Sequence, residues 1–500
     1  MVSLKLKAKL MDVVANMPVV ILNAGDAVEL GVYAGDRVLV QFDGHGIVAS
    51  IDTTKKLVNR GELGIYREAQ IHGVKNNATV SVSPTSRPKS IEYILKKMRG
   101  IELKKNEIWE IIGDVNNDRL SDGELGAFLT AVYIHGYTDF EVAEITRAMV
   151  DKGNSIDWGN TVVCDKHSIG GVPGNRTTPI VVSILAAAGL TVPKTSSRAI
   201  TSPAGTADTI EVFCNVSLGI PEIKKIVKKT GACLVWGGAL ELAPVDDKFI
   251  HIEHALSIDP EGQVLASVMS KKKAVGSKYV LIDIPIGDEA KVDRMKAAEE
   301  LAKKFKSLGK RLDMVVECAI TDGSQPIGNG IGPVLEAIDI VDVFKGRGPK
   351  DLREKSLELA GMLLKMTKKG NKETAKKILD SGKAFEKFAR ITEAQGGSAD
   401  KDFRNMLGKY RQNIICPRSG TILRIANEEI AKVSRTAGAP NDKGAGVYLH
   451  SKKGDIVKAG DVLFTIYAEK EYKLHDATEA AKKLKPIHIG DKDEMIEEVI

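Results

Sequence analysis

From residue 161 onward, short β-branched runs alternate with apolar segments of helical length, and glycine closes the helices. The pattern reads as a strand at 161–164, a helix at 177–188 ended by Gly189, a strand at 190–195, a helix at 221–230 ended by Gly231, and a strand at 232–236. Strands that alternate with helices pair in parallel and are covered on their faces, so ligands meet such a sheet at the carboxyl ends of its strands. Helical texture continues through 289–308 and 352–367. This alternation predicts a multidomain α/β protein with a mostly parallel sheet.

Other textures flank that core. Residues 4–82 are short β-rich runs broken by Gly and Asp, such as Arg37-Val38-Leu39-Val40-Gln41-Phe42 before Asp43-Gly44, and read as a small barrel or sandwich. Ser83-Pro84-Thr85-Ser86-Arg87-Pro88 reads as a linker, and from Ser90 to Met149 apolar residues recur at helical spacing, with Ser121 ahead of an apolar run. After Cys416-Pro417 the chain is β-rich again. The run Lys453-Gly454-Asp455-Ile456-Val457 resembles barrel-sandwich modules that carry biotin or lipoyl groups, but without a Met-Lys-Met attachment site it reads as structural.

Five hundred residues with 43% hydrophobic content can bury several cores. A net charge of +6, with acidic residues interleaved throughout, argues against nucleic-acid binding and suits a small anionic substrate. Cys164, Cys214, Cys233, Cys318 and Cys416 form no CxxC pair, so reduced thiols are expected, with neither a metal site nor a disulfide framework. The first ten residues alternate Lys with Leu, and no run of about 18 apolar residues occurs, which predicts a soluble cytoplasmic protein without a membrane partner.

Two loops carry the chemistry. Asp165-Lys166-His167-Ser168-Ile169-Gly170-Gly171-Val172-Pro173-Gly174-Asn175-Arg176 stands between a strand and a helix, where free backbone N–H groups and a positive dipole end favour an anion. No Gly-Lys-Ser/Thr follows its first glycine, so it is not a Walker loop. Lys166 and Ser168 add donors, whereas His167 reads as a donor to a backbone carbonyl. After the next strand comes Ser196-Ser197-Arg198-Ala199-Ile200-Thr201-Ser202-Pro203-Ala204-Gly205-Thr206-Ala207-Asp208, in which Arg198 is the fixed cation and suits a phosphate dianion. The hydroxyls also fit plain helix caps, at Ser202 or at a helix beginning at Thr206. Asp259-Pro260 is either a turn opener or a partly buried carboxyl able to act as a general acid. Lys271-Lys272-Lys273 reads as a solvated helix face, and Lys291 is a weaker signal still.

Several segments in this order resemble the thymidine phosphorylase superfamily, in particular its archaeal-type AMP phosphorylase branch. They are Asp165-Lys166-His167-Ser168 with Gly170-Gly171-Val172, Gly205-Thr206, Glu241-Leu242-Ala243-Pro244, Ala266-Ser267 with Ser270-Lys271-Lys272, Thr321-Asp322 with Gln325-Pro326-Ile327-Gly328, and Ser381-Gly382-Lys383-Ala384 with Glu393-Ala394-Gln395-Gly396-Gly397. The resemblance implies a nucleoside phosphorylase class II-like fold: a small helical lobe (85–158, with a segment near 245–275 returning to it) and a large α/β phosphate-binding lobe (159–412). A β-rich N-terminal barrel-like domain (1–84) and a C-terminal α+β domain (413–500) are added to these.

It further implies phosphorolysis of an N-glycosidic bond by inorganic phosphate, with neither cofactor nor metal, in a homodimer or larger homo-oligomer. Lys166 and Ser168 would hold the attacking phosphate, and Gly171, Ser197, Arg198, Ala199, Ile200, Thr201, Ser202, Thr206, Ser267 and Lys291 the nucleotide. Asp259 would protonate the leaving purine. Where pyrimidine-specific relatives carry an Arg-Asp pair, this chain has Glu253-His254, and their Ser-Gly-Arg-Gly run is here Ser-Arg-Ala-Ile-Thr-Ser. The first departure counts against a pyrimidine nucleoside as substrate, and the second, which sets extra hydroxyls beside Arg198, fits a 5′-phosphate. The competing readings are a thymidine or pyrimidine nucleoside phosphorylase, and a nucleotide-binding assembly protein with an inactive cleft.

Overall fold

The computed structural model describes residues 3–15, 17–71, 73–199 and 202–490. The chain forms two compact units, one of Met1–Gly153 with Ala243–Ser267, the other of Asn154–Leu242 with Val268–Ile500.

In the first unit, strands β1 (Leu4–Leu10), β2 (Val19–Asn23), β3 (Arg37–Phe42), β4 (His45–Thr54), β5 (Glu62–Ile65) and β6 (Thr79–Pro84) close into a barrel in the order β1-β5-β2-β4-β3-β6. Alternation makes it possible: in β1, Leu6 and Ala8 point inward while Lys5, Lys7 and Lys9 face solvent. Closure leaves no open edge for another chain to pair with. Helices Ser90–Met98, Lys105–Asn116, Asp122–His135 and Asp139–Lys152 follow. Reciprocal caps Ser121/Glu124 and Thr138/Glu141 start the last two. Glu124 also pairs with Arg37 of the barrel, so a capping residue ties the barrel to the helices. Helix Pro244–Leu256 buries Phe249 against Phe128, with ring centroids 6.0 Å apart.

The second unit holds β7 (Cys164–Ser168), β8 (Val192–Ser196), β9 (Ala232–Trp236), β10 (Tyr279–Ile286) and β11 (Val315–Asp322). All pair in parallel, as β11-β10-β7 and β8-β9, with a single parallel bridge from Val163 to Thr191 between the two ladders. Helix Thr177–Ala187 is apolar nearly all round and is therefore buried, with Ile180, Ile184 and Leu185 in one core with Leu357, Leu364 and Phe388.

The first strand of this series differs from the expected 161–164. It runs Cys164–Ser168, in register with Tyr279–Asp283, so Asp165 to Ser168 lie on the ladder rather than in the turn after it. Charged residues are tolerated there because each meets an opposite charge, as shown below. The helix expected from 289 begins at Met295, because Ala290 and Lys291 pack as a turn beneath Gly171.

The C-terminal part is two antiparallel sheets. One comprises Gly330–Ile331, Gly446–Leu449, Val462–Ala468 and Tyr410–Ile415; the other comprises Ile456–Val457, Gly420–Ile425 and Ile487–Gly490. Helices Asn427–Thr436 and Glu471–Leu484 accompany them. Pairing of Gly330–Ile331 with Gly446–Leu449 joins these sheets to the α/β part of the same unit. Among the described residues no helix is long and apolar enough to cross a membrane.

Candidate active site

Successive strand residues point to opposite faces, so Asp165 and Lys166 head two separate charge clusters. On one side Lys166 is 1% exposed; its Nζ donates to Thr177 Oγ1 at 2.9 Å and lies 3.6 Å from Asp283 Oδ2. Asp283 sits beside Ser168 on the neighbouring strand. It accepts from Thr321 Oγ1 at 2.6 Å, receives Asn175 Nδ2 at 3.4 Å, and has Lys355 Nζ 3.3 Å away. Burial pushes the Lys166 ammonium down to about 8 against the pull of Asp283, and Lys355 and Arg176 push the same way as burial. Burial would raise Asp283, but Lys166 and Lys355 outweigh it and hold the carboxyl below its usual range. Two ammonium groups share one carboxylate here, close to the hydroxyls of Ser168, Thr177 and Thr321. Such a cluster, near the carboxyl ends of the parallel strands β7, β10 and β11, suits an oxyanion.

On the other side Asp165 meets Lys272 at 2.8 Å and Lys194 at 3.3 Å, all three buried. Lys272 thus departs from the solvated face expected of the triple lysine. Its neighbour Lys273 is also engaged, donating to Leu312 O at 2.8 Å. His167 is driven well below its ordinary value by burial and by Lys272, Lys194, Lys166 and Lys271, and is held neutral. A neutral imidazole adds no charge of its own beside the Lys166 cluster.

The glycine loop after β7 is shaped by contact. Gly171 has φ +93°, and a Cβ there would stand 2.7 Å from Lys291 N, so this backbone packs directly on the Ala290-Lys291 turn. That places Gly171 and Lys291 side by side. At the end of the loop, Arg176 pairs with Glu336 and donates to the carbonyl of Ala204, so the two motif loops are joined through one side chain. Glu336 also accepts from Thr209 Oγ1 at 2.7 Å.

The second loop is organised by Asp208. Its Oδ2 accepts from Ala199 N at 2.7 Å and Gly205 N at 2.9 Å, and its Oδ1 from Arg198 Nη1 at 3.2 Å. Helix Thr206–Ile210 begins at Thr206, and Ser202 Oγ donates to Ala204 O at 3.2 Å. Arg198 is a third exposed, stacks over Trp236 at 5.0 Å, and donates to Glu211 Oε2 at 2.9 Å. Lys443 pairs with Glu211 as well; the Arg198 bond and Lys443, working against burial, hold that carboxyl at about 2. The guanidinium is therefore already matched by two carboxylates, and a phosphate there must share it with Glu211. Ser197 closes the turn by accepting from Ala207 N at 3.2 Å. Ile200 and Thr201 lie outside the described residues.

Asp259 and Ser267 belong to the first unit. Ser267 Oγ donates to Asp246 Oδ2 at 2.7 Å. Asp259 is exposed, in the connection between helices Pro244–Leu256 and Glu261–Ala274, so the partial burial expected to keep its carboxyl protonated is not found in this chain. A cavity of about 740 Å³ opens among Arg411, Asn413, His450, Asp455 and Tyr467. It mixes both signs of charge and contains no residue of the two loops that carry Lys166 and Arg198.

Sequence reading missed Asp283, Lys355 and Glu211. Asp283 had a signal, as the one charge inside the apolar run Val280-Leu281-Ile282-Asp283-Ile284. Lys355 had one too: it stands three residues after Leu352 and four before Leu359, on the buried stripe of helix Lys350–Met366.

Three comparisons bear on this geometry. A helical bundle domain of the glycosyl transferase family matches residues 91–153, the α/β domain of that family matches 160–385, and a pyrimidine nucleoside phosphorylase C-terminal domain matches 421–488. An anthranilate phosphoribosyltransferase from Thermus thermophilus shares the fold at a TM-score of 0.51 and 16% identity, covering 61% of this chain and 99% of that one. The AMP phosphorylase of Natronomonas pharaonis is 45% identical over 99% of this chain and 100% of its own length. Those of Pyrococcus furiosus and Thermococcus kodakarensis are each 47% identical, over 97% of this chain and 97% and 98% of their own lengths. The chain belongs to the AMP phosphorylase family, within the thymidine and pyrimidine-nucleoside phosphorylase superfamily of pentosyltransferases.

Proposed function

We propose that this chain catalyses the phosphorolysis of nucleoside 5′-monophosphates, converting AMP and phosphate to adenine and ribose 1,5-bisphosphate, with CMP and UMP as further substrates and no cofactor. An oxygen of inorganic phosphate bonds to C1′, the glycosidic bond breaks with its electron pair passing to the base, and a proton reaches the leaving purine. The transition state has oxocarbenium character, so correct placement of the phosphate anion and neutralisation of the base contribute most. Lys166 and Ser168 hold the nucleophile, Arg198 and the loop around it the 5′-phosphate, and Gly171 and Lys291 line the site. Asp259 takes the proton-donor role by likeness to the family, together with Ser267 as a nucleotide contact.

The observation that carries this reading is the buried Lys166–Asp283–Lys355 cluster, set at strand ends in a chain alike over its whole length to AMP phosphorylases. Adenine release from AMP, measured with and without phosphate and alongside adenosine, CMP, UMP and thymidine, tests it. Release that ignores phosphate, or adenosine turned over as fast as AMP, sinks it.

A further inference from the structure

Lys355 is a buried cation that the reaction as described leaves unused. Its side chain is 9% exposed, and its Nζ makes the 3.3 Å ion pair with Asp283 but no hydrogen bond. Lys166 leans on the same carboxylate oxygen, so Asp283 is shared by two ammonium groups. Asp322 and Asp351 also act on Lys355, but Asp322 faces solvent and Asp351 is engaged by Lys452 at 3.0 Å. Close to this locus Asn175 Oδ1 is likewise buried without a hydrogen-bond partner, while its Nδ2 reaches both Ser168 Oγ and Asp283 Oδ2 at 3.4 Å. A buried ammonium with unused donors, in a cluster carrying one excess positive charge, is costly unless an anion completes it.

We propose that Lys355 is a second ammonium ligand of the attacking inorganic phosphate, gripping it opposite Lys166, with Asp283 fixing the spacing of the two. This rests on the phosphorolysis reading. Lys166 arrives from a strand and Lys355 from helix Lys350–Met366, so the two ammonium groups approach the shared carboxylate from different elements. Asp283 holds them apart until a dianion takes the donors that it leaves unused. An ammonium is a compact charge with three donors and needs no fixed fork geometry, which suits a tetrahedral anion.

The test is steady-state kinetics of adenine release on the full chain, varying phosphate and AMP separately. Losing a charge-assisted hydrogen bond predicts that Lys355→Met raises the phosphate KM by about ten-fold or more and leaves the AMP KM within about two-fold. Lys355→Arg, which keeps the charge, holds the phosphate KM within about three-fold. Lys355→Gln keeps a donor towards Asp283 and replaces the methionine variant, with the same expected rise, if that one does not fold. A phosphate KM unchanged in the neutral variant, or phosphate and AMP constants rising together, overturns the assignment, because a purely structural lysine would not separate them. Wild-type release that is independent of phosphate would instead defeat the phosphorolysis reading, a result distinct from a phosphate-dependent enzyme whose neutral variant behaves normally.

Discussion

Lys166 is where burial and charge meet most directly in the proposed phosphate site. Its ammonium titrates near 8 because burial outweighs the attraction of Asp283, with Lys355 and Arg176 adding repulsion. The folded value lies below the ordinary 10.5, so the unfolded chain binds more protons between the two. The stabilising contribution is complete above 10.5 and is lost as pH falls through 8. At neutral pH the fold carries the cost of a buried ammonium, which a bound anion offsets. As kcat/KM reports groups in the free enzyme, kcat/KM for phosphate should fall as pH rises through about 8. A profile flat across that range would mean that Lys166 does not hold phosphate in its charged form. Arg198 is the second residue-scale case. If it grips the 5′-phosphate while sharing itself with Glu211, Arg198→Ala should raise the AMP KM by about ten-fold or more and leave adenosine kinetics nearly unchanged. Equal losses on both substrates would reduce Arg198 to a brace between Asp208, Glu211 and Trp236.

Among the elements, helix ends were the most legible in sequence, since Gly189 and Gly231 both take positive φ where their helices stop. Strand β9 was legible too, as a wholly apolar run. Strand β7 was not, because Asp165 and Lys166 look like loop residues until Lys194, Lys272 and Asp283 are seen to compensate them. The same blindness hid Lys272 in a triple lysine. Period-two and helical spacing report which face is buried, and they cannot report that a buried charge has found its partner from a distant segment. The second motif loop shows what local geometry adds. A Cβ at Gly205 would stand 2.6 Å from Ala199 N, Arg198 C and Ser197 O, all of them backbone, so the loop cannot yield by moving a side chain. Gly205→Ala should therefore displace Arg198, costing about 1–3 kcal/mol of stability and raising the AMP KM more than the phosphate KM. Denaturant unfolding together with the two KM values checks this, and a variant that unfolds and binds AMP as wild type does would show that the loop is free to open.

For the whole molecule, the β-rich beginning was readable as barrel or sandwich, but its closure depended on long-range pairings, such as β1 with β5 and β6, that alternation alone does not specify. The division into units has a thermodynamic consequence. The barrel core, with Val38, Val40 and Ile51, lies in the first unit, whereas the core around Ile184, Leu364 and Phe388 lies in the second. The Lys166–Asp283–Lys355 cluster lies wholly in the second unit. Separate cores predict more than one calorimetric transition, and an anion that binds one folded unit stabilises that unit by mass action. Inorganic phosphate at about a hundred times its Kd should raise the transition of the second unit by about 2.7 kcal/mol and leave the other in place. Lys166→Ala should abolish the shift. Scanning calorimetry with and without phosphate, on the wild type and that variant, separates the outcomes. A phosphate shift that survives Lys166→Ala, or that appears only in the transition of the barrel and its helices, would place the anion somewhere other than the ends of β7 and β10.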